Sequence, residues 1–164
     1  MLAKTIAAVR RNHALEHATI AILMGKMGQP TRMVGRASPS GFYLYGDIPT
    51  DKVRESAVEG LARLKRGEWQ LAVSPLCGTN LAVAGILAGL ASVLAIGNQA
   101  RLRRVPNVLT AAVLAVVAAQ PLGRLVQRHV TTSADVDGLE ILDVSRAGGG
   151  VLPMHKVRTV YRAA

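Results

Sequence analysis

The stretch that decides the fold runs from residue 77 to residue 124, CGTNLAVAGILAGLASVLAIGNQARLRRVPNVLTAAVLAVVAAQPLGR. Its first half contains no charged residue before Arg101, and Val105 to Gly123 is again uncharged. At about 1.5 Å per residue, each apolar part is long enough as a helix to cross a hydrocarbon core of about 30 Å. The rest of the chain is too short to bury two such helices in a soluble core. The stretch therefore predicts a two-helix transmembrane hairpin.

The composition agrees with membrane helices. Half of the 164 residues are hydrophobic, yet only 3% are aromatic, and small apolar residues let membrane helices approach closely. The net charge of +10 comes from scattered Lys and Arg, many of which flank the apolar parts, where anionic lipid headgroups attract them. With so few aromatic side chains to stack on bases, we expect no nucleic-acid partner. The single cysteine excludes an internal disulfide.

Helices and strands are predicted on both sides of the hairpin. Residues 1–76 contain apolar periodicities and turn residues that predict helices at Leu2–Met27 and Thr50–Arg66 and strands at 32–36, 42–48 and 69–73. Residues 125–164 contain alternating strands at 138–144 and 156–161, joined by a glycine-rich turn at 147–150. Two spans return the chain to its starting side, so the C-terminal strands are expected to complete the N-terminal sheet. The predicted class is α+β, a small mixed domain interrupted by the transmembrane hairpin of residues 77–124.

The most specific motif is His13-Ala14-Leu15-Glu16-His17 in the first helix. Histidines four residues apart project from one face of a helix, so both imidazoles can bind a single divalent ion. Glu16 lies on nearly the same face, where its carboxylate can take a proton from a metal-activated water. The spacing is that of the inverted zincins. It predicts a zinc cofactor, with His13 and His17 as ligands and Glu16 as the catalytic base.

The segment HALEHATI resembles the zinc-binding helix of the insulinase-like metallopeptidases. This resemblance covers the eight residues from His13 to Ile20 and implies a zinc peptidase activity. It also implies that His13 and His17 bind the metal and that Glu16 activates the attacking water.

The third zinc ligand has several candidates. In the insulinase-like enzymes a glutamate on a downstream helix supplies it, but the corresponding position here lies near Val93, in the first apolar part. Because a catalytic zinc normally has three protein ligands, another residue must serve. Glu55 and Glu59 lie one turn apart on the second predicted helix, and Cys77 lies in the loop before the first span. His129, just beyond the second span, is a further alternative.

The order of features along the whole chain also carries a resemblance. The RNHALEHAT helix, the CGTN loop leading into two apolar parts and the C-terminal β-segment resemble a bacterial two-span membrane-protein family of unknown function. That resemblance implies a topology and no activity.

We expect a membrane-anchored zinc-dependent hydrolase, a metallopeptidase acting on a peptide or protein near the membrane surface. The alternative is a non-enzymatic scaffold or assembly partner.

The expected location is the cell membrane, as a multi-pass protein in contact with the lipid bilayer. The basic turn Arg101–Arg104 favours a cytoplasmic loop, whereas Lys65, Arg66, Arg124 and Arg128 flank the opposite ends and favour a cytoplasmic domain. We favour the cytoplasmic domain. The small-xxx-small pattern in the first span, GILAG, predicts packing against the second span or against another copy of the chain.

Overall fold

The computed structural model describes residues 1–28, 32–97, 102–148 and 153–162, and the fold is mixed α+β. The chain divides into two compact units. The first consists of Met1–Ser74 and Arg128–Ala164, and the second of Pro75–Gln127.

The first unit combines two helices with one antiparallel sheet. Helix α1 spans Leu2–Met27 and helix α2 spans Thr50–Lys65, as predicted to within one residue. The strands are β1 at Val34–Ser38, β2 at Gly41–Tyr45, β3 at Leu139–Ala147 and β4 at Met154–Tyr161, and their order is β1-β2-β4-β3. Phe42 of β2 lies opposite Val157 of β4. The prediction that the C-terminal strands complete the N-terminal sheet is therefore confirmed.

The core of this unit lies between the helices and the sheet. Apolar residues at helical spacing in α1 are buried, as are inward-facing residues of α2, β2 and β4; these include Ala14, Leu15, Val53, Phe42 and Val157. Gly60 of α2 brings the two helices close together, since a Cβ at this position would lie 3.2 Å from the Cβ of Ala18. This packing determines the orientation of α1, and with it the direction of the face that carries the His13–His17 motif.

The prediction of a strand at residues 69–73 is wrong. Residues Trp69–Ala72 form a short 3-10 helix, where the apolar run from Trp69 to Val73 predicted a strand. The backbone N–H of Leu71 donates to the carbonyl of Glu68 at 3.1 Å, and that of Val73 donates to the carbonyl of Gln70 at 3.2 Å. A short apolar run does not distinguish a buried turn from a strand by periodicity. Here the run packs against α1 and satisfies its backbone groups locally.

The second unit contains two apolar helices that pack against each other. Helix α3 spans Gly78–Ile96 and helix α4 spans Val105–Val126, and both are long and apolar enough to cross a membrane. Helix α4 continues through Pro121, and a π-helical turn follows at Gln127–Thr131. Part of the predicted 147–150 turn lies outside the described residues.

A polar contact joins these two helices. The side-chain amide of Gln127 donates to Asn80 Oδ1 at 2.7 Å, and Gly123 gives the Asn80 side chain the space it occupies. By contrast, no described atom outside α3's own turns lies within 4 Å of a Cβ placed at Gly85 or Gly89. The predicted packing of that small-residue pattern against the second span is therefore not found within the hairpin.

Candidate metal centre

His13 and His17 lie side by side on α1. Their ring centroids are 4.3 Å apart, with the ring planes inclined at 59°. A ring nitrogen of one lies within 4.8 Å of a ring nitrogen of the other. His17 is 3% exposed and His13 is half-buried. The helix therefore presents two imidazole ligands to one small volume.

Hydrogen bonds to the backbone fix the tautomer of each imidazole. His13 Nδ1 lies 2.9 Å from the carbonyl oxygen of Thr131, and His17 Nδ1 lies 2.8 Å from that of Ala72. A carbonyl oxygen only accepts, so Nδ1 carries a proton in each ring, and in the neutral imidazole Nε2 is then the nitrogen that can bind a metal. Metal-binding histidines in proteins use this arrangement, because the N–H bond to an acceptor fixes the ring and makes the ligand nitrogen more basic.

The acceptor of His13 is held in place by Arg10, one turn earlier on α1. The Arg10 guanidinium donates to the carbonyl of His129 at 2.9 Å and to that of Thr132 at 3.0 Å. The backbone N–H of Ser133 donates back to the Arg10 carbonyl at 3.0 Å. These bonds attach the segment on both sides of Thr131 to the helix that carries the two histidines.

Glu16 points toward the edge strand β1. Its side chain is buried, and its carboxylate occupies the space that a side chain at Gly35 would need. The glycine thus permits the carboxylate to lie against the strand. Asn12, one turn before Glu16, accepts a hydrogen bond from Thr159 and donates to the carbonyl of Ser38, which ties α1 to both β4 and the end of β1.

The carboxylates of α2 are engaged elsewhere. Glu59 pairs with Lys26 at 2.8 Å, and this bond is the main reason that the pKa of Glu59 is lowered from its ordinary value. Lys26 lies nine residues beyond His17, about 13 Å along the helix. Glu55 pairs with Lys52 on its own helix at 3.2 Å. The structure does not bring either predicted carboxylate ligand to the histidine pair.

Cys77 belongs to the second unit, where it precedes the first residue of α3. It is 8% exposed, and its Sγ accepts a hydrogen bond from the backbone N–H of Thr79 at 3.4 Å. His129 is exposed and lies in the first unit, and its carbonyl is one of the two held by Arg10.

Three supporting residues were not predicted from the sequence. Arg10 and Asn12 adjoin the motif, and a polar side chain on the buried side of a helix was a signal that could have identified Asn12. Gly35 carried no signal, because its role depends on a contact with a residue of another element.

The fold and the site define a class: a small α+β domain with a histidine pair on its first helix, interrupted in sequence by two apolar helices. Residues 8–144 match the domain of unknown function DUF6391, and the chain belongs to this family. An uncharacterized protein of Picosynechococcus sp. (strain ATCC 27264 / PCC 7002 / PR-6) is 35% identical over 171 residues, covering 95% of this chain and 81% of the relative. The prediction of a family of unknown function is thus confirmed. No solved structure matches the chain.

Proposed function

We propose that this protein is a membrane-anchored zinc-dependent hydrolase, a metallopeptidase acting near the membrane surface. The observation that supports the proposal most is the pair of Nδ1–H bonds to the Thr131 and Ala72 carbonyls, which leaves a lone pair on Nε2 of both His13 and His17. Backbone acceptors that orient both rings in the same way are typical of metal-binding histidines.

Cys77 is the third ligand in this proposal. It follows Ala72, whose carbonyl holds His17, by five residues, and a chain of that length reaches about 18 Å at most. A thiolate is a preferred zinc ligand, and Cys2His sets occur in catalytic zinc sites. Glu55 and Glu59, the other candidates, are the weaker choice because Lys52, Lys26 and Arg63 already pair with them.

The chemistry divides between the metal and the carboxylate. A zinc ion supplies Lewis-acid activation of water and polarisation of the scissile carbonyl when it is bound. Glu16 would accept the proton of the attacking water and deliver it to the leaving amine. The Glu16 side chain is buried, with 5% of its surface exposed.

The test is metal content, measured by mass spectrometry on protein purified in a neutral detergent. We expect close to one zinc per chain in the wild type, loss of it in His17→Ala, and strong depletion in Cys77→Ser. His129→Ala is the matched control, since it removes a nearby exposed histidine and should retain the metal. Because His17 is buried, thermal melting with and without a chelator provides a second measurement: the wild type should lose stability when chelated, and His17→Ala should not respond.

Catalysis is tested separately on Glu16→Gln. This variant should keep its zinc and lose peptide hydrolysis by about a hundredfold or more, as expected for removal of a general base. Stoichiometric zinc without any Glu16-dependent hydrolysis would leave a metal site without the proposed activity. Wild-type protein that binds no zinc would contradict the proposal and favour the scaffold alternative.

The remaining parts of the proposal concern location. The lipid bilayer is the proposed partner of α3 and α4, whose apolar residues are mostly exposed within the described part of the chain. We propose that the domain lies on the cytoplasmic side, as the basic residues flanking the apolar helices favour. A second copy of the chain is the proposed partner of the face that carries Gly85 and Gly89, which is open in the isolated chain.

A further inference from the structure

A cavity of about 210 Å³ opens on the first unit, next to the wall that holds the histidine pair. Its polar lining consists of Arg128, His129 and Thr132, Trp69 lies on its rim, and the rest is small and apolar, as at Ala72. Ala72 is the residue whose carbonyl holds His17, and Thr132 adjoins the residue whose carbonyl holds His13. The metallopeptidase chemistry proposed above does not use this cavity.

Arg128 is the charged group that decides what the cavity can bind. Its guanidinium carbon lies 4.1 Å from the centre of the Trp69 ring, and in the described part of the chain no carboxylate pairs with it. Other arginines of this unit do have such partners: Arg63 and Arg66 both bind Glu68. A guanidinium that lies over an aromatic ring is attracted to the ring face and keeps its N–H donors available for other partners.

The hydrogen-bond donors of Arg128 and His129 in this lining favour an anionic ligand. A guanidinium presents paired N–H donors that match two oxygens of a phosphate, and the imidazole of His129 adds a further donor. Arg10 fixes the wall by binding the carbonyls of His129 and Thr132, so the donors are held before a ligand arrives. A volume of about 210 Å³ accommodates a phosphate ester with a short substituent.

The position along the chain indicates where such a ligand would come from. Arg128 follows the last residue of α4 by two positions, and α4 is one of the helices long enough to cross a membrane. An arginine at the end of a membrane-spanning helix commonly lies at the level of the lipid headgroups. We propose that the cavity lined by Arg128, His129 and Trp69 binds a phosphate group, supplied by the headgroup of an anionic phospholipid.

Trp69 makes the test direct, because it is the only tryptophan in the chain. Protein in a neutral detergent is titrated with dihexanoyl phosphatidylglycerol below its micellar concentration, and tryptophan fluorescence is recorded. We expect a saturable change in the wild type. Arg128→Gln should weaken binding by about tenfold or more, as expected for loss of a charge-assisted hydrogen bond. Arg36→Gln removes the same charge from an exposed position of β1 and should bind as the wild type does.

Because Arg128 itself affects the fluorescence of Trp69, binding is also measured as a shift in melting temperature. Arg128→Lys keeps the charge and should recover part of the affinity if the variant is folded. Inorganic phosphate in a parallel titration distinguishes the sources: weaker binding than the lipid identifies the headgroup, and equal binding identifies free phosphate. Either result supports a phosphate site.

Two outcomes overturn the proposal. One is the absence of a saturable response to both phosphate ligands. The other is tighter binding of N-acetyl-dialanine, which offers a carboxylate in place of a phosphate. Repeating the titration with His17→Ala separates this site from the metal centre, because the phosphate response should persist there whether or not the chain binds zinc.

Discussion

At the scale of single residues, the buried Glu16 side chain requires a glycine at position 35. A side chain at position 35 would enter the space of the Glu16 carboxylate, so Gly35→Ala should lower the free energy of unfolding by roughly 1–3 kcal/mol, the usual cost of overpacking. Thermal or denaturant unfolding in detergent measures it. In a Glu16→Ala background the same substitution should cost at least about 1 kcal/mol less, since the two positions contact. Equal costs in the two backgrounds would show that Glu16 does not lie against the strand.

His155 predicts a dependence of stability on pH. It is 1% exposed on β4, and its Nε2 lies 3.1 Å from Thr50 Oγ1. Burial lowers the pKa of His155 from the ordinary 6.5, Arg146 lowers it further, and Asp47 opposes them. Between this lowered pKa and 6.5 the unfolded chain binds a proton that the native protein does not. The free energy of unfolding should therefore fall as the pH drops below 6.5 and stay level above neutrality.

The measurement is the melting temperature of the wild type and of His155→Gln across this pH range. The difference between the two isolates His155 from the other histidines, and it should shrink as the pH falls. A difference that is constant with pH would contradict the assignment.

The sequence could identify the residues of the motif but not what surrounds them. His13, Glu16 and His17 were recognisable because five adjacent residues carry their pattern. The acceptor of His13 lies 118 residues away, and that of His17 lies 55 residues away. These partners are brought to the histidines by the packing of α1 against the 3-10 helix and the segment after α4. The spacing of residues within the motif contains no information about that packing.

At the scale of elements, the Asn80–Gln127 bond between α3 and α4 should stabilise the apolar hairpin. Asn80→Leu removes the acceptor of the buried Gln127 amide, and we expect a loss of about 0.5–2 kcal/mol, the range for hydrogen bonds between membrane helices. Gln127→Leu should cost less in that background than in the wild type. The free energy is measured by reversible unfolding in mixed micelles, and full additivity of the two substitutions would exclude the contact.

The helices were predictable almost to the residue, and the 3-10 turn was not. Helix α1 ends at Met27, as predicted, and Gly28 follows it in the left-handed conformation at φ 61°. The apolar hairpin was equally clear, because length and lack of charge identify such helices without knowledge of packing. For Trp69–Ala72 the run was too short, and the surroundings that decide its conformation come from α1.

At the scale of the whole molecule, two apolar helices predict how the protein behaves in cells. We expect it to remain in the membrane fraction at roughly 1 M salt, where the Debye length falls to about 3 Å, and at alkaline pH, and to be released only by detergent. Salt would release a protein held by its basic surface alone. Release by salt or alkali, measured by sedimentation and immunoblotting, would contradict membrane insertion.

The order β1-β2-β4-β3 places β4, the last of the described strands, in the interior of the sheet. During synthesis, β2 therefore lacks its partner β4 until more than a hundred further residues, including both apolar helices, have been translated. A nascent chain at that stage exposes an incomplete hairpin edge that other chains can pair with. A premature stop before β4 would remove the strand that pairs with both β2 and β3, and the truncated product should be a target for proteolysis during synthesis.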